Sequence, residues 1–208
     1  MMEFFKKIIF YLIGIIIVSL GISLTITANF GVGSWDALNV ALSETVGLTV
    51  GSWIFIIGFI LIFVNSVIEK KKPAYLEIVA VAIIGSCVDF WLLFVLDGIS
   101  PESTYMKIGL LLIGILILSF GISIYLQPKF PVSPIDHLMV AISERFGISY
   151  TIAKTSTELF AIIMALFMKG PIGIGTLIIA ATIGPMIQLF FPFTKKWYER
   201  LINVRTSS

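Results

Sequence analysis

The stretch FGVGSWDALNVALSETVG, residues 30–47, is too polar to cross a membrane and too apolar to lie in a solvated loop. It sets Asp36, Asn39, Ser43 and Glu44 among Trp35, Leu38, Val40, Ala41, Leu42 and Val46. A close copy, FPVSPIDHLMVAISERFG, occupies residues 130–147. As a helix, the segment from Ser34 to Val46 would reach about 20 Å at about 1.5 Å per residue. That is short of the roughly 30 Å hydrocarbon core of a bilayer. A re-entrant or interfacial half-helix fits both its length and its mixed character. Gly31 and Gly33 loosen the chain before it, Pro131 and Pro134 punctuate the copy, and Gly47 and Gly147 sit where helices end.

The surroundings of both stretches are strongly apolar. The 208 residues are 58% hydrophobic and 12% charged, with a mean hydropathy of +1.07. A soluble domain carries about 25% charged residues, so the composition is that of an integral membrane protein. Apolar runs predict six spans, at 8–27, 49–67, 76–96, 108–126, 149–168 and 173–192. The first run follows Lys6 and Lys7 as a signal peptide would, but it is long, and its copy is internal; it reads as a membrane helix. With the N-terminus inside, the inner segments collect Lys6, Lys7, Lys70, Lys71, Lys72, Lys129, Arg145, Lys195, Lys196, Arg200 and Arg205. The outer segments hold only Lys107 and Lys169, which puts both termini in the cytoplasm. The net charge of +2 is therefore a matter of topology, and nucleic acid is not an expected partner. Cys87 stands alone within an apolar run, so neither a disulfide nor a cysteine metal site is expected.

Shifting the chain by 100 residues aligns Leu12–Gly47 with Leu112–Gly147 without a gap, and 18 of 36 positions are identical. Matches at Gly14, Ser19, Gly21, Ser23, Asp36, Ser43, Glu44 and Gly47 go beyond what shared hydrophobicity supplies. Each half holds an odd number of spans, so the second must enter the membrane from the opposite side. The predicted fold class is therefore all-α: six transmembrane helices plus two half-helices in an inverted 3+3 repeat. It forms one membrane domain, residues 1–208, with repeats at about 8–97 and 108–193.

Polar residues inside this frame are the candidates for function. Asp36, Asn39 and Ser43 form one stripe at i, i+3 and i+7. The copy keeps Asp136 and Ser143, and adds a second line of His137 and Glu144. An acid in the first helical turn ordinarily caps its own helix, and SPID fits the capping pattern. A broken helix at membrane depth is also tolerated only when buried or lining a cavity, which would place both carboxylates in a central polar site. Ser19, Ser23 and Thr27, with Ser119, Ser123 and Gln127, repeat at i, i+4 and i+8; helix packing and site lining both fit such a line. Asp89 lies deep in the third span, where an ionisable group reads as functional, and Gln188 is its counterpart. Lys154 and Glu158 form an i, i+4 pair in the fifth span. An unperturbed histidine titrates near physiological pH, which makes His137 a coupling candidate, though a single histidine at an interface is ordinarily solvated.

The candidate solute-binding set is therefore Asp36, Asn39, Ser43, Asp136, Ser143, Asp89, Gln188, Ser19, Ser23, Ser119 and Ser123. Asp89, Lys154, Glu158, His137, Glu44 and Glu144 are candidates for ion or proton coupling. No catalytic or metal-ligating pattern occurs, and neither an enzyme nor a cofactor is expected.

GVGSWDALNVALSETVGLTVGSW together with KGPIGIGTLIIAATIGPMIQLF resembles the YczE/YyaS/YitT family of bacterial membrane proteins, over nearly the whole chain. Ser34 replaces the family's usual proline before the Trp-Asp pair, while the copy keeps Pro134. The resemblance implies a multi-span protein of the bacterial inner membrane. The expected function is a small secondary transporter or facilitator, proton- or cation-coupled, working by alternating access. Its partners would be the lipid bilayer and a small solute, with a homodimer allowed. The alternative is a non-transporting membrane partner that assembles with other membrane proteins.

Overall fold

A computed structural model describes residues 2–131 and 133–202; Arg205 lies outside them. The described residues form helices and no strand: α1 Met2–Thr27, α2 Ser34–Val46, α3 Val50–Glu69, α4 Leu76–Phe90, α5 Thr104–Tyr125, α6 Pro134–Phe146, α7 Tyr150–Phe167 and α8 Ile174–Ile202. α4 runs on into a π-helical turn, Trp91–Val95. Six elements are long and apolar enough to cross a membrane. The two that are not, α2 and α6, are the 13-residue stretches on which the sequence reading turned. α8 outruns its predicted end at residue 192 by ten residues. The apolar signal stops there, but the helix continues through Lys195, Lys196 and Arg200. Large apolar side chains such as Phe59, Phe63, Phe94 and Phe167 stand exposed on the outer faces, as a lipid-facing surface requires.

α1 and α5 form the spine. A side chain on Gly14 would lie 2.6 Å from the backbone of Tyr125, and one on Gly21 would lie 2.5 Å from that of Leu118. Residue numbers rise along α1 as they fall along α5, so the two helices are antiparallel. The reciprocal contacts are present too: Gly114 meets Thr25 and Gly121 meets Val18. Small residues let two backbones approach and gain dispersion contact where lipid supplies no hydrophobic drive.

Each half-helix is shared between the halves of the chain. α2 packs on α3 and on α7, and α6 packs on α7 and on α3. One apolar cluster joins them, including Trp35, Leu38, Leu61, Leu138, Ala161 and Ala165. Buried Asn65 of α3 donates from Nδ2 to the Pro134 carbonyl at 2.9 Å, fixing the start of α6. Ser43 donates to the Leu48 carbonyl and Ser143 to the Ile148 carbonyl, at 2.8 and 2.7 Å. Both half-helices thus share this closing serine hydrogen bond, although Gly147 is left-handed helical (φ 66°, ψ 27°) and Gly47 is not (φ 97°, ψ −167°).

The outer helices are not alike. α3 packs along α4, with Gly51 against Gly85 and Gly58 against Val81. The corresponding pair, α7 and α8, barely touches. The cause is legible in the sequence: a shift of 100 replaces Gly51 by Thr151 and Gly58 by Glu158. Glycine admits the neighbouring backbone, whereas these side chains hold it off. Gly184, the counterpart of Gly85, has open space where a side chain would stand.

Candidate functional site

A cavity of about 240 Å³ lies in the middle of the bundle, and all eight helices contribute to it. The first turns of both half-helices open onto it, through Ser34, Asp36 and Asn39 of α2 and Ser133, Asp136 and Met139 of α6. The two halves therefore bring Asp36 and Asp136 to one place. Lys154, Thr157 and Glu158 of α7 and Thr176 of α8 add polar groups. The remaining wall is aliphatic, including Val18, Ile22, Ile54, Leu118, Ile122 and Ile183.

Neither aspartate caps its helix through a described hydrogen bond. Gly33 precedes α2 without a side chain to cap it, and Ser133 caps α6 by accepting from the Ile135 amide at 3.3 Å. Among the described residues nothing bonds to Asp36, whose Oδ2 leans over Gly33. Burial pushes its carboxyl up to about 7. Asp136 accepts from the Tyr125 hydroxyl at 3.0 Å. Asp136 stays open to the cavity, yet desolvation by the surrounding helices raises its carboxyl as well, opposed by that hydrogen bond and by the Lys154 charge. Lys154 Nζ stands 3.7 Å from Glu158 Oε1, so the predicted i, i+4 pair forms and faces the cavity. Two deeply buried neighbours are left short of partners: Asn39 Oδ1 has no donor and Trp35 Nε1 has no acceptor among the described residues. Such groups cost about 1–3 kcal/mol each when unpaired, and they call for an explanation.

Other expected site residues lie elsewhere. Ser19 and Ser23 are fully buried between α1 and α4, where they donate to the Ile16 and Ser19 carbonyls. Ser19 Oγ also accepts from Trp91 Nε1 at 3.2 Å. Ser123 donates to the Phe120 carbonyl, and Ser119 is buried without a partner. The hydroxyls of Ser19, Ser23 and Ser123 turn back onto their own helices, and none of the four serines lines the cavity. Asp89 does not reach the central cavity. Its carboxylate accepts from Thr49 Oγ1 at 2.5 Å and the Gly51 amide at 2.7 Å, closing the free N-terminus of α3. Gln188, Glu44 and Glu144 are exposed and do not line the cavity. Ser43 and Ser143 sit at the far ends of the half-helices. Tyr125, Trp35, Thr157 and Thr176 line the cavity without having been singled out; only Trp35, next to Asp36, carried a signal.

His137 is not simply solvated. Its Nε2 is 3.0 Å from Glu69 Oε1 and its Nδ1 is 2.6 Å from Glu77 Oε1, so an α6 residue is clamped between the ends of α3 and α4. Lys71 extends the cluster, at 3.6 Å from Glu69 and 3.8 Å from Glu144. Contact with Glu77, opposed by partial burial and reinforced by Glu69, pushes the imidazole from 6.5 up to about 9. A raised folded-state value means the charged form stabilises the fold fully below about 6.5, and that this contribution fades as pH rises through about 9. Thermal unfolding across pH 6 to 9.5 is expected to show Tm falling by several degrees, at about 2–4 °C per kcal/mol for this size. His137→Gln should flatten the profile; an unchanged slope would remove the clamp from the account.

Six spanning-length apolar helices around a central cavity, with two shorter helices reaching it, define a polytopic helical membrane protein. Residues 5–192 match the family described as "Family of unknown function (DUF6198)", and the chain belongs to it. It is 38% identical over 192 residues to "Uncharacterized protein YyaS" of Bacillus subtilis, covering 92% of this chain and 96% of the relative. It is 32% identical over 200 residues to "Uncharacterized membrane protein YczE" of the same organism, covering 96% and 92%. A Haemophilus influenzae protein is similar at 26% identity over 192 residues, covering 89% of this chain and 84% of that one. No solved structure matches the chain.

Proposed function

We propose that this protein is a small transporter or facilitator of the bacterial inner membrane, built as an inverted repeat, and that the central cavity is its solute site. The observation that carries the reading is the meeting of the α2 and α6 first turns on one cavity. Reciprocal glycine contacts between antiparallel α1 and α5 support the inversion. They are what a two-fold axis across the spine would produce. The start of α1 and the end of α8 lie on one face, since Lys6 Nζ donates to the Leu201 carbonyl at 2.8 Å. The excess of basic residues assigns that face to the cytoplasm. Alternating access would rock one repeat against the other.

The test is exchange in proteoliposomes loaded with a labelled small-metabolite extract. Protein-dependent exchange above empty liposomes is expected. Its complete absence, together with stable co-purification of a second membrane protein, would favour the partner role instead.

A further inference from the structure

We propose that the cavity takes a small monovalent organic cation, an ammonium group carried on an apolar body. The proposal rests on the solute-site reading above and names the substrate class. Charge comes first. Three carboxyl groups line the cavity, Asp36, Asp136 and Glu158, against the single ammonium of Lys154. Lys154 stands beside Glu158 and offsets one of them. The N-termini of α2 and α6 each bring about half a positive charge, which offsets about one more. With all three carboxyls ionised, the state that a bound cation favours, roughly one unit of negative charge is left over. Its seat is Asp36, which has no hydrogen-bond partner among the described residues, whereas Asp136 is held by Tyr125.

Shape and donors narrow the class further. Asn39 is 2% exposed, lines the cavity and has an amide oxygen without a donor. An N–H of an ammonium group would satisfy it, while an anion or an apolar ligand would leave it orphaned. Multivalent metal ions fit less well: among the described residues no three carboxylate, histidine or cysteine side chains are grouped to hold one. The cavity's 240 Å³ is below the roughly 300–1,000 Å³ of sites for drug-sized ligands, and its wall is mostly aliphatic. A compact apolar body suits that wall.

The experiment is calorimetric binding to the full chain in phosphatidylcholine nanodiscs, with empty nanodiscs subtracted. The probes are phenethylammonium and three relatives of similar size: 2-phenylethanol, 3-phenylpropionate and phenylalanine. Saturable phenethylammonium binding is expected, about 10- to 100-fold tighter than the neutral and anionic relatives, the range for hydrogen bonds to charged groups. Asp36→Asn should abolish that preference. Glu44→Gln, an exposed carboxylate outside the cavity, should leave it intact. Should Asp36→Asn lose its monodisperse profile, Asp36→Ser carries the same expectation. Equal or tighter binding of any relative, the zwitterion included, would overturn the cation assignment, as would no phenethylammonium binding at all. The underlying reading fails separately: selective cation binding without protein-dependent exchange in proteoliposomes would remove transport and keep the site.

Discussion

Asp36→Asn is expected to reduce solute flux in proteoliposomes by about 100-fold or more while leaving the protein folded. Asparagine has nearly the same shape as aspartate, so the cavity keeps its form and loses one charge. Removing one partner of a buried charged contact costs about 2–5 kcal/mol, which sets the size of the effect. Stability should move the other way. The Asp36 carboxyl makes no described hydrogen bond, and burial disfavours its ionised form. Tm should therefore hold or rise near neutral pH. Flux at the parental rate, with Tm unchanged, would mean that Asp36 does not touch the solute.

Gly21→Leu should prevent recovery of a stable, monodisperse protein. A side chain at residue 21 would enter the Leu118 backbone at 2.5 Å, and no rotamer of Leu118 relieves a clash with its own main chain. The spine must separate, at a cost above the roughly 1–3 kcal/mol of ordinary overpacking. Gly109→Leu, on α5 but facing open space, is the matched control and should be tolerated. Equal Tm values for the two variants would show that α1 and α5 do not depend on this close approach.

The helices were legible because apolar length and the 100-residue repeat both mark them. The half-helices were legible from polar residues in a stretch too short to span. On the inverted-repeat reading their convergence is expected too, since a repeated motif in oppositely entering halves meets at a shared centre. The serine lines misled because i, i+4 spacing defines a face without saying what lies opposite. Ser19 and Ser23 look across at α4, and their hydroxyls spend their bonds on α1 itself. Asp89 reads as a buried anomaly, yet its partners, Thr49 and the Gly51 amide, come from 40 and 38 residues away. No local pattern announces a cap supplied by another helix. His137 was similarly hidden, since Glu69 and Glu77 are distant in sequence. Tyr125 was invisible for a different reason: the repeat places Thr25 at its counterpart, so symmetry pointed away from it.

The unequal seams carry a consequence for the working cycle. On the inverted-repeat reading, two identical halves would make the inward-facing and outward-facing arrangements equal in energy, because the two-fold rotation turns one into the other. Every position at which the halves differ breaks that degeneracy. Gly58 against Glu158, Gly51 against Thr151, and a histidine clamp present on one side alone are such positions. A resting preference of 99 to 1 needs only about 2.7 kcal/mol, within reach of a few such differences. The direction in which the empty protein waits would then be set by a handful of side chains on a scaffold that by itself has no preferred direction.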